Sequence, residues 1–416
     1  MWIRFLRAAS AYTLGVCLIV GGSQLDWRDA AGQEVTIQQM VDAAEPGSVV
    51  RVPAGVYRET VWIPKSLTLS GEPGAIIEGE DRYRWIIVAA HDVTIEGFEM
   101  RGSVNERYRG GITQNVGGVS YNRLTVRNNT LAGASYAAIA TWLGSGHQIV
   151  DNVIRDNGAL GIRIDSGSGH YIAGNTIFNT NQAELWDAGW EAGGIKVSGN
   201  DGGAHDILIE RNDIFSNHGA GVWTDVDSNN VTIRANQMHH NSRAGITVEL
   251  SFDARIHNNV VWENGYAYHE WGWGAGIVVQ NSSNVEVFDN IVAWNADGIS
   301  VISQDRGVER WNTVNNIHVH GNTIAMVHDG GYNTYALGWL EDWAGPLTSE
   351  PAANGAWGNH YWLTTADGAD LRFRWGDSYY FTLGDFMTTP GEENAHYLDS
   401  EQKDALLSAA GVPVTR

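Results

Sequence analysis

The sequence predicts an all-β protein built as a parallel solenoid, in which short strands stack coil upon coil. Two consecutive segments, 221–241 and 245–264, can be overlaid, because each opens with Gly, alternates apolar and polar residues, and ends in Asn. A unit of this length cannot bury its own apolar face and must stack on its neighbours. Strand-rich units with one Asn per turn favour a parallel β-helix over leucine-rich repeats, whose Leu pattern is missing here.

Asn residues recur through the chain, mostly at steps of 23 or 24 residues. Stacked side-chain amides hydrogen-bond from one coil to the next and so satisfy polar groups at tight turns. We therefore expect these residues to be structural and assign them no chemistry. The main column comprises Asn129, Asn152, Asn175, Asn212, Asn236, Asn259, Asn290 and Asn322, and a second column comprises Asn157, Asn217, Asn241, Asn264 and Asn295.

A Gly opens each coil, and apolar residues follow it at the first and third positions, as Ile162 and Ile164 follow Gly161. Period-two alternation places these apolar side chains inside the solenoid. The second and fourth positions then face solvent. The opening residues are Gly161, Gly194, Gly221, Gly245, Gly276 and Gly298.

Both ends of the repeat carry predicted caps. An amphipathic helix is predicted over 35–45, and a second helix over 400–410. A helix before the first coil is the expected cap, since an open solenoid end exposes core and strand edges. We expect the β-helix to span 35–330, with 331–416 as a C-terminal coil extension and cap.

In residues 1–24, Arg4 and Arg7 precede an apolar run. This pattern predicts a secretory signal peptide, with an uncleaved anchor as the alternative. Cys17, the only cysteine, lies in this run, so the mature chain would hold no disulfide. No other segment is apolar enough to span a membrane. We expect a secreted or periplasmic monomer. The net charge of −22, with no basic run, argues against a nucleic-acid partner.

Three insertions interrupt the repeat at 181–193, 265–275 and 304–316. Loops on a repeat scaffold collect on one face, which is often the binding face. His269, in the second insertion, is a candidate acid or base over the groove. Four Trp residues are candidates to stack on sugar rings, the alternative being that they pack the loops onto the coils: Trp186, Trp190, Trp271 and Trp273.

The segment from Pro46 to Glu59, PGSVVRVPAGVYRE, together with the later Gly-Ile and Asn-x-Ile coils, resembles the right-handed parallel β-helix superfamily. That superfamily holds pectate and alginate lyases, polysaccharide epimerases, some glycosidases and pectin esterases. The resemblance covers about residues 35–330 and implies a right-handed β-helix that acts on polysaccharide. It does not select one activity, because one fold hosts many chemistries.

Two outward columns carry the candidate chemistry. Arg163, Lys196 and Trp223 fall in the column of second positions, and Asp165, Ser198, Asp225 and Glu249 in the column of fourth positions. Neighbouring coils are about 4.8 Å apart, so adjacent members of a column are within side-chain reach. Asp227 lies two residues beyond Asp225, and Arg243 lies just before Gly245.

A lyase acting on an acidic polysaccharide is the first interpretation. β-Elimination at a uronic acid needs a base for the C5 proton, and Lys196 is the candidate. Arg163 would clamp the substrate carboxylate, with Arg243 as a further candidate and Trp223 as a sugar contact. The resemblance implies a Ca²⁺ ion, which Asp225, Asp227 and Glu249 would hold through hard oxygen ligands.

Two other interpretations stay open. Asp225 and Glu249, one rung apart, have the spacing of a retaining glycoside hydrolase, in which one carboxyl is the acid and the other the nucleophile. The same fold also serves as a non-catalytic glycan-binding rod. Convergence of Lys196, Asp225 and Glu249 in one cleft would favour an enzyme, and a flat face with splayed side chains would favour a binder.

Overall fold

The computed structural model describes the backbone of residues 17–19 and 26–28, and residues 35–80, 84–114, 117–200, 202–327, 335–342, 347–364 and 371–416. Three long parallel sheets run along this part of the chain, and successive strands visit the sheets in turn. The predicted parallel β-helix is therefore confirmed. Strand Cys17–Ile19 pairs antiparallel with Asp26–Arg28. Most of residues 1–24 lies outside the described residues, so the signal peptide stays a prediction.

The sheet that carries the candidate residues is called the groove sheet. Its strands are parallel, except that the last one, a short antiparallel strand, folds back at the C-terminal edge. Its strands are Val61–Ile63, Ile86–Val88, Gly110–Gln114, Ala137–Trp142, Leu160–Asp165, Gly193–Ser198, Ala220–Asp225, Ile246–Glu249, Ala275–Gln280, Asp297–Ser303, Leu337–Glu341, Phe373–Trp375 and Ser378–Tyr380.

The other two sheets complete each coil. One consists of Gly55–Tyr57, Ala75–Glu78, Glu99–Ser103, Thr130–Ala134, Val153–Arg155, Thr176–Phe178, Asp213–Phe215, Gln237–His239, Val260–Trp262, Ile291–Ala293, Thr323–Met326, His360–Leu363 and His396–Tyr397. The other consists of Val49–Val52, Leu67–Gly71, Val93–Glu96, Thr125–Arg127, Gln148–Val150, Tyr171–Ala173, Ala204–Glu210, Ser228–Arg234, Phe252–His257, Ser283–Phe288, Asn315–His320 and Gly355–Trp357, with Gly167–Ser168 beside Ala204–Glu210.

The core contains the apolar residues that follow each opening Gly, together with the inward-facing residues of the other two sheets. Ile162 pairs with Ile195 and Ile164 with Val197 on adjacent strands, and all four side chains are buried. Each fully buried aliphatic side chain contributes roughly 1.5–3 kcal/mol, so stacking coils supplies the stability that one coil lacks.

The Asn column forms the predicted ladder. The Oδ1 of Asn236 accepts the backbone N–H of Asn212 and its side-chain Nδ2–H, both at 2.9 Å. Asn236 in turn donates to Oδ1 of Asn259 at 3.0 Å. The pattern runs from Asn129 to Asn359, which donates to the buried carboxyl of Glu392. The structural interpretation of these Asn residues is confirmed.

Helices cover both ends. Helix Ile37–Ala43 begins at the N-cap Thr36 in a capping box with Gln39 and buries Ile37 and Val41. The short helix Leu383–Phe386 packs against the last coil, where Phe386 stacks on Phe373. Helix Ser400–Ala409 packs instead on the side of the solenoid, where Leu407 joins a buried cluster with Trp294. Single 3₁₀ turns lie at Glu270–Gly272, Glu309–Trp311 and Glu350–Ala352. No helix in the described ranges has the length and apolar character that crossing a membrane requires.

Candidate functional site

The strand register brings the candidate residues into the two predicted columns. Arg163 pairs with Lys196, and Lys196 with Trp223. In the neighbouring column, Ser198 pairs with Asp225, and the register of the next strand places Glu249 beside Asp225. The columns are therefore confirmed.

The expectation that these positions face solvent is wrong for the middle of the groove sheet. Lys196 and Arg163 are each only 5% exposed, and Glu249 is 7% exposed. The insertions 181–193, 265–275 and 304–316 fold over the outer face and cover it. The residues point away from the core, but the loops remove them from water.

Lys196 lies at the centre of this covered face. Its Nζ donates to the carbonyl of Trp190 at 2.5 Å and lies 3.0 Å from Oδ2 of Asp225. The same ammonium lies 3.7 Å from the centroid of the Trp223 ring, a cation–π distance. Three groups, two from the strand Ala220–Asp225 and one from the first insertion, thus fix the position of one amine.

Glu249 occupies the next rung. Trp223 Nε1 donates to Oε2 of Glu249 at 3.1 Å, and Arg306 of the third insertion pairs with Oε1. Burial raises the pKa of Glu249, and the charge of Asp225 raises it further, against the opposing effects of Arg306 and Lys196. Glu249 is therefore a weaker acid than an exposed glutamate and keeps its proton to higher pH.

The backbone after Asp225 is unusual. Val226 has φ of 35° and Asp227 has φ of 54°, although a β-branched residue rarely adopts the left-handed region. The Val226 N–H donates to Oδ1 of Asp225 at 2.9 Å. This turn leaves the other oxygen of Asp225 for Lys196, and strain of this kind clusters at functional sites.

Arg163 belongs to a buried polar network. Its Nε and Nη2 donate to the two oxygens of Asp165 at 2.5 and 2.7 Å, and its Nη1 donates to the Tyr136 hydroxyl at 3.2 Å. Tyr136 donates to Glu191, which also pairs with Arg107. Burial alone would lower the pKa of Arg163, but Asp165 and its neighbours raise it. Burial raises the pKa of Tyr136 well above its ordinary value.

Arg163 is consequently held by protein groups and is poorly placed to clamp a substrate carboxylate. Arg243 is better placed, because it lies between Gly189 of the first insertion and Tyr268 of the second. Its guanidinium lies 4.3 Å from the Tyr268 ring centroid, and no described carboxylate lies within ion-pair distance. Burial lowers the pKa of Arg243 from its ordinary value.

The four loop Trp residues differ in exposure. Trp190 is 67% exposed and lines the groove. Trp186 packs edge-on against Tyr136 at 4.9 Å, while Trp271 and Trp273 pack against an apolar cluster over the coils. Only Trp190 and Trp273 of these four line the groove among the described residues, so packing is the main task of Trp186 and Trp271. The exposed His269 also lines the groove.

The groove consists of two adjoining pockets that share Trp190, Lys196, Asp225 and Val226. The C-terminal pocket has a volume of about 710 Å³ and the N-terminal pocket about 640 Å³. The C-terminal pocket is walled by the three insertions and floored by Trp223, Thr247, Glu249 and Gln280. The N-terminal pocket is lined by the segment 106–109 with Trp142, Arg163, Ser198 and Asn200.

The three carboxylates predicted to bind Ca²⁺ do not form a metal site. Asp225 pairs with Lys196, Glu249 pairs with Arg306, and Asp227 lies 3.2 Å from Nη2 of Arg310. In the ranges that the structure describes, no three His, Cys, Asp or Glu side chains converge as metal ligands do. The residues present therefore do not fit a calcium ion, because a cationic side chain already lies beside each carboxyl group.

Sequence reasoning missed several residues of the site. Glu191 and Arg306 lie in insertions recognised from the broken repeat, but nothing local indicated that they reach Arg107 and Glu249. The repeat pattern did not identify the segment 104–109 as part of the site, because this segment lies before the first opening Gly. The interruption of the repeat between Met100 and Gly110 was the one available indication.

Comparison with known proteins identifies the fold family. The sequence matches the right handed beta helix region family over residues 110–324. The chain belongs to this family. It is 30% identical over 148 residues to a mannuronan C5-epimerase of Pseudomonas putida, a match that covers 35% of this chain and 25% of the epimerase. The chain thus spans about a quarter of the length of that relative.

Solved structures show the same fold at low identity. The A-module of the mannuronan C-5 epimerase AlgE4 from Azotobacter vinelandii is 16% identical, with a TM-score of 0.62 over 87% of this chain and 95% of the module. XylC, solved in complex with xylose, is 12% identical, with a TM-score of 0.60 over 83% of each chain. At these identities the likeness concerns the fold alone.

Proposed function

We propose that the protein is a carbohydrate-active enzyme that acts on an acidic polysaccharide in the groove, by removing the C5 proton of a uronosyl unit. The observation that carries this proposal is the position of Lys196. Its amine lies where the two pockets meet, beside Asp225 and one rung from the buried Glu249. This convergence in a walled cleft favours an enzyme over a flat binding rod.

The chemistry needs three groups. Lys196 in its neutral form acts as the base, and Asp225, whose Oδ2 lies 3.0 Å from Nζ, holds the amine in position. Arg243, which has no ion-pair partner among the described residues, neutralises the substrate carboxylate and so stabilises the negative charge that develops beside C5. Glu249, whose raised pKa favours its protonated form, donates a proton.

The fate of the electron pair left at C5 separates two products. In a lyase, the pair forms a C4–C5 double bond, the bond from C4 to the glycosidic oxygen breaks, and the proton of Glu249 goes to that oxygen. In an epimerase, no bond to oxygen breaks, and a proton returns to C5 on the opposite face. The partial match to a mannuronan C5-epimerase supports removal of the C5 proton, the first step that both reactions share. The assays below distinguish the two products.

Glycoside hydrolysis is the second candidate, and one observation favours it. Asp225 and Glu249 lie on adjacent strands, and the raised pKa of Glu249 beside a second carboxyl group fits the pattern of an acid with a nucleophile. Against it, Asp225 is bound by Lys196 and by the Val226 N–H, which reduces its nucleophilicity.

Incubation with polymannuronate, polygalacturonate and heparosan tests the proposal. Ultraviolet absorbance detects the unsaturated lyase product, proton NMR detects epimerised units, and a reducing-end assay detects hydrolysis. We expect Lys196→Ala to lower the lyase or epimerase rate by about 10²–10⁴-fold, the usual contribution of a general base. Lys65→Ala, outside the groove, is the control. New reducing ends without unsaturation that survive Lys196→Ala and vanish in Glu249→Gln would move the chemistry to the carboxylate pair.

A further inference from the structure

The cations that line the groove fall into two classes. Most have a carboxylate partner: Lys196 pairs with Asp225, Arg163 with Asp165, Arg107 with Glu191 and Arg306 with Glu249. In the described chain, Arg109 and Arg243 are the groove arginines without such a partner. Arg243 lines the C-terminal pocket and Arg109 the N-terminal pocket. Uncompensated positive charge therefore lies on both sides of Lys196.

Each pocket is also lined by a Trp whose indole N–H has no acceptor among the described residues. Trp142 lines the N-terminal pocket and Trp311 the C-terminal pocket, and the Nε1 atom of each ring is buried. A buried donor without a partner costs free energy. Arg109 lies over Trp142, with 5.7 Å from its guanidinium carbon to the ring centroid. An arginine without a carboxylate partner in the described chain and an aromatic ring thus lie together in the N-terminal pocket.

The free carboxylates of the groove lie at its rim. Glu106 lines the N-terminal pocket and Glu270 the C-terminal pocket, and both residues are exposed. Exposed charges are solvated and screened, so their repulsion of a ligand is weaker than the attraction of half-buried arginines. Local cations matter here, since a chain of net charge −22 otherwise repels a polyanion.

We propose that the N-terminal pocket is a second anionic sugar subsite, built from Arg109 and Trp142, in addition to the one at Arg243. The groove then binds an internal stretch of a glycan that carries negative charge on both sides of the unit at Lys196. This inference rests on the proposed function only in taking the ligand to be an acidic glycan. Binding at the N-terminal pocket requires no turnover.

Calorimetric titration of the full chain with oligosaccharides of mannuronate, galacturonate and heparosan tests the subsite, each beside its carboxyl-reduced, neutral counterpart. We expect Arg109→Gln to weaken binding of the preferred charged oligosaccharide roughly tenfold or more, as loss of a charge-assisted hydrogen bond does. The affinity should also depend less on salt. Arg127→Gln, which removes an exposed arginine of another sheet, is the matched control and should bind like the wild type.

Two further arms sharpen the test. Glu106→Gln removes the rim carboxylate of the N-terminal pocket and should strengthen binding. A disaccharide fills only one pocket. When Arg243 holds it in the C-terminal pocket, its affinity should be the same for Arg109→Gln and for the wild type. The inference is wrong if Arg109→Gln binds like Arg127→Gln, if neutral and charged oligosaccharides bind equally, or if no charged oligosaccharide binds.

The outcomes separate this inference from the proposed function. Charge-dependent binding that needs Arg109, without any product from any probe, would contradict the proposed chemistry and support the second subsite. Product formation, with an oligosaccharide affinity that Arg109→Gln leaves unchanged, would support the proposed chemistry and contradict the second subsite. Circular dichroism and thermal unfolding of each variant verify that the fold is intact.

Discussion

The Nζ of Lys196 lies 3.0 Å from Oδ2 of Asp225, and the two residues come from consecutive coils. Both side chains are largely buried, at 6% and 16% exposure. Loss of one partner of a buried pair destabilises the fold, because the other charge is left uncompensated, whereas the intact pair contributes little net stability. The pair also couples the amine to Glu249, because the charge of Asp225 acts on both neighbours.

The first prediction follows from this coupling. Asp225→Asn removes a charge that raises the pKa of Glu249, so the pKa of Glu249 should fall. If protonated Glu249 is the acid, the alkaline limb of the kcat/KM profile moves to lower pH. Asp227→Asn is the control, since Asp227 pairs with Arg310 instead. An unchanged or upward-shifted limb would contradict the assignment of Glu249.

The second prediction concerns Glu191, which joins the first insertion to Tyr136 and Arg107. Glu191→Ala breaks a buried charge network and should lower the free energy of unfolding by about 3–5 kcal/mol. Tyr136→Phe removes one hydroxyl and should cost about 1–3 kcal/mol. Urea unfolding measures both, and limited proteolysis should show faster cleavage within 181–193.

Glu184→Gln, an exposed change in the same insertion, is the matched control for Glu191→Ala. Equal stability of the two variants would show that the network does not hold the loop.

The third prediction concerns the pH dependence of stability. Burial raises the pKa of Glu392 from 4.5 to about 7. As pH rises from about 4.5 to 7, the unfolded chain loses this proton first, so the free energy of unfolding falls, by about 3 kcal/mol at 1.36 kcal/mol per pKa unit. Glu392→Gln should abolish this loss, and Glu393→Gln, an exposed neighbour, should keep it.

The comparison must be made against the wild type, because other buried groups titrate in the opposite sense. Burial lowers the pKa of His147 to about 4 and of His170 to about 3. These imidazoles weaken the fold as pH falls below 6.5, where the unfolded chain takes up protons. A wild-type minus Glu392→Gln difference that stays flat between pH 4.5 and 7 would contradict the prediction.

The fourth prediction tests the ladder. Asn236→Ala leaves the Asn212 amide groups and the carbonyls of Ile209 and Arg234 without their partner. Since each unsatisfied buried group costs about 1–3 kcal/mol, the variant should lose several kcal/mol of unfolding free energy. Asn230→Ala, at an exposed position of the strand Ser228–Arg234, should lose far less. Similar thermal unfolding of both variants would overturn the structural importance of the column.

The sequence was sufficient to predict the fold because the repeat is a local signal. Alternation after Gly161 and Gly194 placed Ile162 and Ile195 inside, and the same count placed Lys196 and Asp225 in adjacent columns. Burial of the outward positions was not predictable, because it depends on loops whose conformation no repeat specifies.

The sequence also does not indicate which side chains of the site contact each other. In the sequence, Arg163 was the natural candidate to bind the substrate carboxylate. In the structure, Arg163 is held by Asp165, two residues away. Arg243 lies against Tyr268 and has no carboxylate partner in the described chain. Trp186 and Trp190 are four residues apart in one loop, yet one packs inward and the other is exposed.

The Asn ladder has a direction. From Asn129 to Asn322, each side-chain amide donates to the rung on its C-terminal side, and Asn359 donates to Glu392. The amide dipoles therefore point the same way along the whole column, and the last donor needs an acceptor that is not another amide. Duplication of an internal coil would preserve this polarity and both terminations, and it would lengthen the groove by one rung. The protein is thus a scaffold whose length can be changed in whole coils without redesign of its ends.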